Sequence, residues 1–469
     1  MANSASTLST KSTILLIVAA IFIAALVGIF AAFFGSSVGE HYGILIALPV
    51  AMMIGFLFFF DRYMLLFLII IFRSGIDRIL DATRLGNFGL GAVLNALIIM
   101  IALIAIFERP NPVQKVVKQT WLPFLVILLF GLFTAPEALN AVKTFLSLLS
   151  YASVFILAIV LIKSEEDYGR WMRAVFFSSL IPVAYGFIDA ANGGAIRDAS
   201  EGFRVASTFS HPNVFAFYLV LMISLSFYFF KSKVTYLPVF VRKFLPIYIF
   251  IMLGFLMLTK TRSAWAACFM FFTAYALIYE RKYLLYILLA PICGFMVPEI
   301  RERFMDLAQG NEAINYAKLN SYAWRKLMWE SGLNFMQPIH YVYGYGLDAF
   351  RHYSITFFPM ANDTQLGAHN VYVQLFFDIG ALGLTSFIWL YGRFIKLILP
   401  FYKLDKLMIF SAIMFILEFA FESYSDNMLG YLSLNWYLWF VLGAAYAVNY
   451  AKQQKLQELN KELAVKPVI

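Results

Sequence analysis

Cysteine is nearly absent: this chain of 469 residues has two, Cys268 and Cys293, both inside apolar runs. Cysteines so placed behave as buried small hydrophobes and give neither a disulfide framework nor a thiolate metal site. Charge is scarce as well. Only 13% of residues are Asp, Glu, Lys or Arg, against about 25% in soluble domains, so water is not the main solvent here. Histidine is down to five residues, which leaves few side chains able to exchange a proton near neutral pH. No His, Cys, Asp or Glu grouping has metal-ligand spacing, and Asp348 and Asp363 stand isolated. No basic groove with interleaved aromatics points to nucleic acid, and the lack of an internal repeat weighs against an inverted-repeat transporter.

What is present is hydrocarbon. The chain is 62% hydrophobic with a mean hydropathy of +0.78. A bilayer core needs roughly 20 apolar residues per helix, and the sequence offers about 12 to 14 such runs: 13–34, 44–60, 63–72, 88–107, 121–134, 145–162, 171–188, 212–230, 245–258, 263–279, 283–297, 370–390, 407–421 and 434–450. The runs 63–72 and 121–134 are short for a full crossing. The first run follows Lys11 and precedes small residues, as a signal peptide does. It exceeds the usual signal core of about 7–15 residues, so an uncleaved helix is expected. The expected fold is therefore an all-α polytopic membrane protein. It divides into N-terminal helices (1–188), central helices with motif-bearing outer ends (189–297), a large outer loop (298–368), C-terminal helices (369–451) and a charged tail (452–469).

Lys and Arg in the loops give the orientation. With the N-terminus inside, most of the 36 basic residues fall on the inner side, as the positive-inside rule requires, so both termini are expected in the cytoplasm. The net charge of +9 is then mainly a topology signal and an affinity for anionic lipid.

On that topology three inward-running helices start at the outer boundary. One follows Arg204 and the run Thr208-Phe209-Ser210-His211-Pro212-Asn213. Pro212 suits the first turn, and Ser210 is the expected N-cap. The second follows Lys260-Thr261-Arg262-Ser263, and the third follows His369-Asn370. Helix starts carry unpaired N–H groups and a positive dipole end, so their convergence, with Arg204, Lys260 and Arg262 at the same level, can hold an anion such as a lipid diphosphate. His369, where a polar segment of about seventy residues meets an apolar helix, is the best-placed proton acceptor. His211 competes but also serves as a helix-start residue, while His340 and His352 have weaker context.

The loop carries an expected helix around 322–330 and the segment Pro338 to Asp348 with Gly344-Tyr345-Gly346, a weak phosphate-loop signal. Trp324, Trp329, Tyr341, Tyr343 and Tyr345 are candidates for stacking on sugars, although aromatics at a membrane boundary are more often anchors.

Taken together, Arg204 with Thr208-Phe209-Ser210-His211-Pro212-Asn213, Thr261-Arg262-Ser263-Ala264-Trp265, Arg325 followed by Pro338 and Gly344-Tyr345-Gly346, and Ala368-His369-Asn370 resemble the O-antigen ligase and polysaccharide polymerase superfamily of bacterial membrane glycosyltransferases. The resemblance runs from about Arg204 to Gly383. It implies a GT-C-like multi-helix architecture in the inner membrane with one mostly helical periplasmic loop, a periplasmic active site and no cofactor. It also implies metal-independent, inverting transfer of a glycan from undecaprenyl diphosphate to an acceptor sugar, either lipid A core (ligase) or another repeat unit (polymerase). His369 would be the base, with Arg204 and Arg262 binding the diphosphate and Arg325 as a further loop cation; Lys260 joins the diphosphate-binding candidates by its position at the same level, and His211, Asn213, Tyr345 and Asn370 are secondary candidates. Lys260 departs from the family pattern, in which a small hydroxyl residue is more usual. About two extra spans tilt the reading slightly towards a polymerase. A lipid-linked oligosaccharide flippase is the alternative, but its charges belong inside the bundle rather than on one face; a scaffold would leave the matched helix starts without a role.

Overall fold

The computed structural model describes residues 52–82, 84–85, 88–108, 113–194, 196–198, 202–234, 236–296, 298–305 and 319–465. The expected span 13–34 and the first half of 44–60 lie outside the described residues. The chain divides into two compact units, Met1–Ile69 and Ile70–Ile469. In the first, a helix over 52–60 precedes α1 (Arg62–Phe72), and Phe56 stacks on Phe60 at 4.3 Å.

The second unit is almost wholly helical. Its elements in chain order are α2 (Asp77–Ala82), α3 (Leu90–Glu108), α4 (Val113–Gln119), α5 (Trp121–Phe133), α6 (Ala138–Leu161), α7 (Glu165–Ser178), α8 (Leu180–Ala191), α9 (Pro212–Lys231), α10 (Val239–Leu258), α11 (Arg262–Ile278), α12 (Tyr283–Phe295), α13 (Pro298–Met305), α14 (Ser321–Phe335), α15 (His340–Tyr343), α16 (Ala349–Phe357), α17 (Val371–Ile398), α18 (Lys406–Ser425) and α19 (Leu432–Val465). Two short antiparallel hairpins interrupt them, β1 (Arg84–Leu85) with β2 (Phe88–Gly89) and β3 (Ile196–Asp198) with β4 (Gly202–Arg204). In the second hairpin Ile196 pairs with Arg204.

Seven helices among the described residues are long and apolar enough to cross a membrane: Gly91–Glu108, Ala138–Leu161, Glu165–Ala191, Pro212–Lys231, Val239–Leu258, Val371–Lys403 and Lys406–Ser425. This is an all-α polytopic membrane protein. The runs read as short are short: Arg62–Phe72 and Trp121–Phe133 are apolar but below that length, and Arg262–Ile278 joins them. The charged tail continues α19 without a break to Val465.

Helix α9 is hydrophobic all round and 94% of its apolar window is buried, as expected of a central helix surrounded by others. Beside it α6 and α19 approach closely at Gly443, where a Cβ would stand 2.8 Å from the Phe155 carbonyl oxygen. Trp439 of α19 packs against Trp121 (ring centroids 4.4 Å), Tyr391 (5.2 Å) and Phe155 (5.7 Å).

Helix α17 is broken. Ile379 and Gly380 leave helical geometry, with Gly380 at φ 64° and ψ −165°, a region essentially reserved for glycine. A break frees carbonyl groups that must find other donors. The loop supplies them: Tyr345 N–H donates to Phe377 O at 3.0 Å and Gly346 N–H to Asp378 O at 2.7 Å, while Leu347 N–H reaches Gly131 O of α5 at 2.9 Å. The loop helices α14 and α16 then close a hydrophobic cluster of Met328, Trp329, Met336, Phe350, Phe358 and Phe377 against the first half of α17. Asp378, buried at the break, accepts from Asp348 N–H (3.2 Å) and Phe350 N–H (2.8 Å), so a carboxylate on one helix caps the start of another, α16.

The break depends on glycine. A Cβ on Gly380 would collide with the Val342 carbonyl, and the backbone conformation alone costs a side chain about 1–3 kcal/mol. Gly380→Ala should therefore lower the melting temperature of detergent-purified protein by several degrees, measured by loss of the monodisperse elution peak after heating. Gly392, whose Cβ would meet open space, is the control site and should tolerate alanine.

Candidate functional site at one end of the bundle

Four helix ends meet at one end of the bundle, and local sequence explains each. Pro212 fixes the first residue of α9 and holds the preceding residue extended. The N-cap is therefore His211 (φ −145°, ψ 144°), whose ring Nδ1 accepts from Asn213 N–H at 3.1 Å. This corrects the expectation that Ser210 caps the helix. Ser210 lies one residue too early, and the imidazole has the reach to cap from position 211. At the second start Thr261 is the N-cap of α11. At the third, Asn370 caps α17, its Oδ1 accepting from Tyr372 N–H (2.9 Å) and Val373 N–H (3.1 Å). The fourth is the C-terminus of α18, where Asp426 is the C-cap.

Asp426 joins these ends. It is 1% exposed. Its Oδ2 accepts from Asn213 Nδ2 at 2.7 Å, and its Oδ1 accepts from Asn427 N–H at 2.9 Å and lies 3.1 Å from His369 Nδ1. Asn213 in turn turns its Oδ1 to Arg204 Nη2 (2.7 Å) and Thr261 Oγ1 (3.1 Å). An amide between a cation and a carboxylate has only one sensible orientation, oxygen to the cation. Arg325 donates to the carbonyl of Ser425, the residue before Asp426. Arg204, Asn213, Thr261, Arg325 and His369 are thus brought together, and the sequence reading missed the residue that connects them.

Burial alone would raise the Asp426 pKa. The bond to His369, the charges of His369 and Arg325 and the Asn213 amide outweigh it, and hold the carboxyl well below its usual range. An ionised carboxylate can only accept, so His369 Nδ1 is the donor, and in the neutral ring Nε2 is the acceptor. The ring is positioned from behind as well. His369 takes a left-handed backbone (φ 48°), and its neighbour Ala368 donates its N–H to Gln374 Oε1 (3.0 Å) and accepts from Trp329 Nε1 (2.6 Å). The His369 side chain is still 40% exposed, with Trp324 edge-on at 6.2 Å.

The cations differ in their placement. Arg204 is 6% exposed and its guanidinium ties three elements, donating Nε to Thr259 O (2.8 Å) and Nη2 to Asn213 and to Thr261 Oγ1 (3.2 Å). Arg262 donates Nη2 to Ser321 Oγ at 2.7 Å, joining the starts of α11 and α14. Lys260 occupies the turn between α10 and α11 in a left-handed conformation (φ 53°).

Tyr345 is not brought to this group. Its hydroxyl accepts from Gln337 N–H (3.0 Å) and donates to Phe335 O (3.4 Å), and its ring stacks on His340 at 3.8 Å. The phosphate-loop expectation for Gly344-Tyr345-Gly346 fails likewise, because the Tyr345 and Gly346 N–H groups serve the broken α17. His340 bonds Gly344 O and His352 bonds Glu137. Of the proposed stacking aromatics, Trp329 is buried in the subdomain core, whereas Trp324 borders His369. Among the described residues, no group of three or more His, Cys, Asp or Glu could hold a metal ion. A cavity of about 920 Å³ lies around Lys163, Glu165 and Lys452, and His369 does not line it.

Asp426 could have been suspected from topology: the run 407–421 ends on the same face as the three helix starts, followed by Glu422 and Asp426. Intramembrane and boundary acids are functional candidates by default.

Two outcomes test the pair. Asp426→Asn keeps the shape but removes the orienting charge, and loss of such a partner costs about 10²–10⁴-fold in rate; a rate within twofold of the parent removes Asp426 from the site. Because its folded pKa is depressed below the ordinary 3.8, Asp426 contributes stability that is present above that value and lost as pH falls through the lower folded one. The melting-temperature difference between parent and Asp426→Asn should shrink as the pH falls below about 4.

No curated protein matches the chain. Residues 247–388 match the family model described as O-Antigen ligase, a segment that includes Lys260, Arg262, Arg325, His369 and Asn370 but not Arg204, Asn213 or Asp426. Over that segment the chain is similar to the O-antigen ligase family, in keeping with the motif resemblance.

Proposed function

We propose that the protein transfers a glycan from an undecaprenyl-diphosphate carrier to an acceptor sugar at the outer face of the bacterial inner membrane, with His369 as the base. The O-antigen ligase domain supports glycosyltransferase activity of this type generally. The observation that carries the finer reading is the His369–Asp426 pair at 3.1 Å, beside three helix starts and the cations Arg204, Arg262, Lys260 and Arg325.

In this reading the acceptor hydroxyl gives its proton to His369 Nε2 as its oxygen attacks the anomeric carbon. The bond to the carrier breaks on the opposite side, and the electron pair leaves on the diphosphate. A single displacement inverts the anomeric centre. A positioned base supplies typically 10²–10⁴-fold. The leaving charge is stabilised by guanidinium groups and helix N-termini, which do this without a metal. Arg262, on the half-buried rim between α11 and α14, is the better placed of the arginines for direct contact; Arg204, inside the protein, sets the positions of Asn213 and Thr261. Trp324 offers a ring to the acceptor beside the base.

His369→Ala should abolish transfer while leaving the protein in the membrane, and a fully active variant removes the base. Arg262→Glu should raise the donor concentration needed for half-maximal rate at least about tenfold, the worth of one charge-assisted hydrogen bond. Sidedness is read from Asp363→Cys, an exposed loop position, with Cys268 and Cys293 replaced by alanine. An impermeant maleimide should label it from the periplasm, and labelling only after lysis of the inner membrane would overturn the arrangement. The glycan profile of a deletion strain separates the acceptors: loss of all capped lipopolysaccharide marks a ligase, whereas single-repeat caps or loss of secreted polymer mark a polymerase.

A further inference from the structure

Gln374 stands one turn into α17, 7% exposed, and every polar atom of its side chain has a partner. Oε1 accepts from Ala368 N–H at 3.0 Å and from Asn427 Nδ2 at 3.4 Å; Nε2 donates to Asp378 Oδ2 at 2.9 Å. Ala368 directly precedes His369, and Asn427 directly follows Asp426. One carbonyl oxygen therefore holds the chain next to both members of the pair. The other end of the same amide leads to Asp378, which caps α16 through Asp348 N–H and Phe350 N–H. An uninterrupted line of hydrogen bonds runs from the loop subdomain, through the break in α17, to the backbone of Ala368 beside His369 and the side chain of Asn427 beside Asp426. Hydrocarbon at position 374 would leave a buried N–H and a buried carboxylate each short of a partner.

We propose that Gln374 is a positioning residue that sets the His369–Asp426 geometry and ties it to the docking of the loop subdomain through Asp378. The inference rests on His369 being the base. It has a chemical signature. Glutamine accepts at one atom and donates at the other; a glutamate can do both only when protonated. Ionised, it would face Asp378 one turn on, with Asp348 before α16, Asp426 after α18 and His369 as the other titratable groups around it.

The test uses the full-length protein in membrane vesicles of a producing strain, assayed by incorporation of labelled sugar into its glycan. The second readout, independent of turnover, is the rate at which diethyl pyrocarbonate modifies the His369 peptide, followed by mass spectrometry. Gln374→Leu should lower transfer about ten- to a hundredfold, the effect of misplacing a catalytic group by about 1 Å, and should shift the modification rate of His369 in the same direction as Asp426→Asn, measured in parallel. Gln374→Glu should transfer well at low pH and lose activity with rising pH more steeply than the parent. Unchanged rate, pH profile and His369 reactivity in both variants overturn the proposal. Should the leucine variant fail to accumulate, the glutamate profile decides: the parent's pH dependence there overturns it. His369→Ala, run in parallel, separates the two layers. An active alanine variant removes the base reading itself, whereas an inactive one beside normal Gln374 variants removes only the role of Gln374.

Discussion

A carboxylate taken out of water must be met by donors on all sides, and Asp426 meets that demand with groups from different parts of the chain. Asn213 comes from the start of α9, His369 from the residue before the cap of α17, and Asn427 from its own turn. Arg325 approaches through the preceding carbonyl and brings α14 with it. Truncating one partner would leave a buried charge short of compensation, which is why such groups tolerate little movement. The convergence of helix ends at this point follows from that requirement, and the chemistry assigned to His369 depends on it.

A second constraint acts one helix away. Breaking α17 at Ile379 and Gly380 strands two carbonyls, and the N–H groups of Tyr345 and Gly346 meet them. The loop subdomain is consequently fastened to the membrane helix by its backbone, with Phe377 completing its apolar core. Asp378 and Gln374 extend this fastening to Ala368 and Asn427, the residues beside His369 and Asp426. The loop subdomain and His369 are thus parts of one hydrogen-bonded assembly.

The arginines illustrate how much a position in sequence leaves undecided. Arg204 and Arg262 are both cations near helix starts. In the folded protein one is an internal brace among Thr259, Thr261 and Asn213, while the other bridges α11 and α14 at the rim. Charge and spacing are the same kind of signal for both; burial separates them.

The membrane class, the short spans, the three helix starts and the prominence of His369 were all legible in the chain, because each rests on local properties: hydrophobic run length, proline at a first turn, scarcity of histidine. Ser210 was misplaced by one residue because imidazole capping is not visible in a propensity pattern. Gly344-Tyr345-Gly346 gave only a weak phosphate-loop signal because glycine reports that backbone comes close, not whether the neighbour is a phosphate or a broken helix. Asp426 and Gln374 were missed because their partners lie 213 and 57, or 6 and 53, residues away. The amino-acid sequence by itself settled that the chain lives in a bilayer and, to within a residue, where the three helices at Pro212, Arg262 and Val371 begin. Only the tertiary structure decided which of its few polar groups share one buried site, since that depends on which donors are within about 3 Å of a carboxylate that cannot remain unpaired.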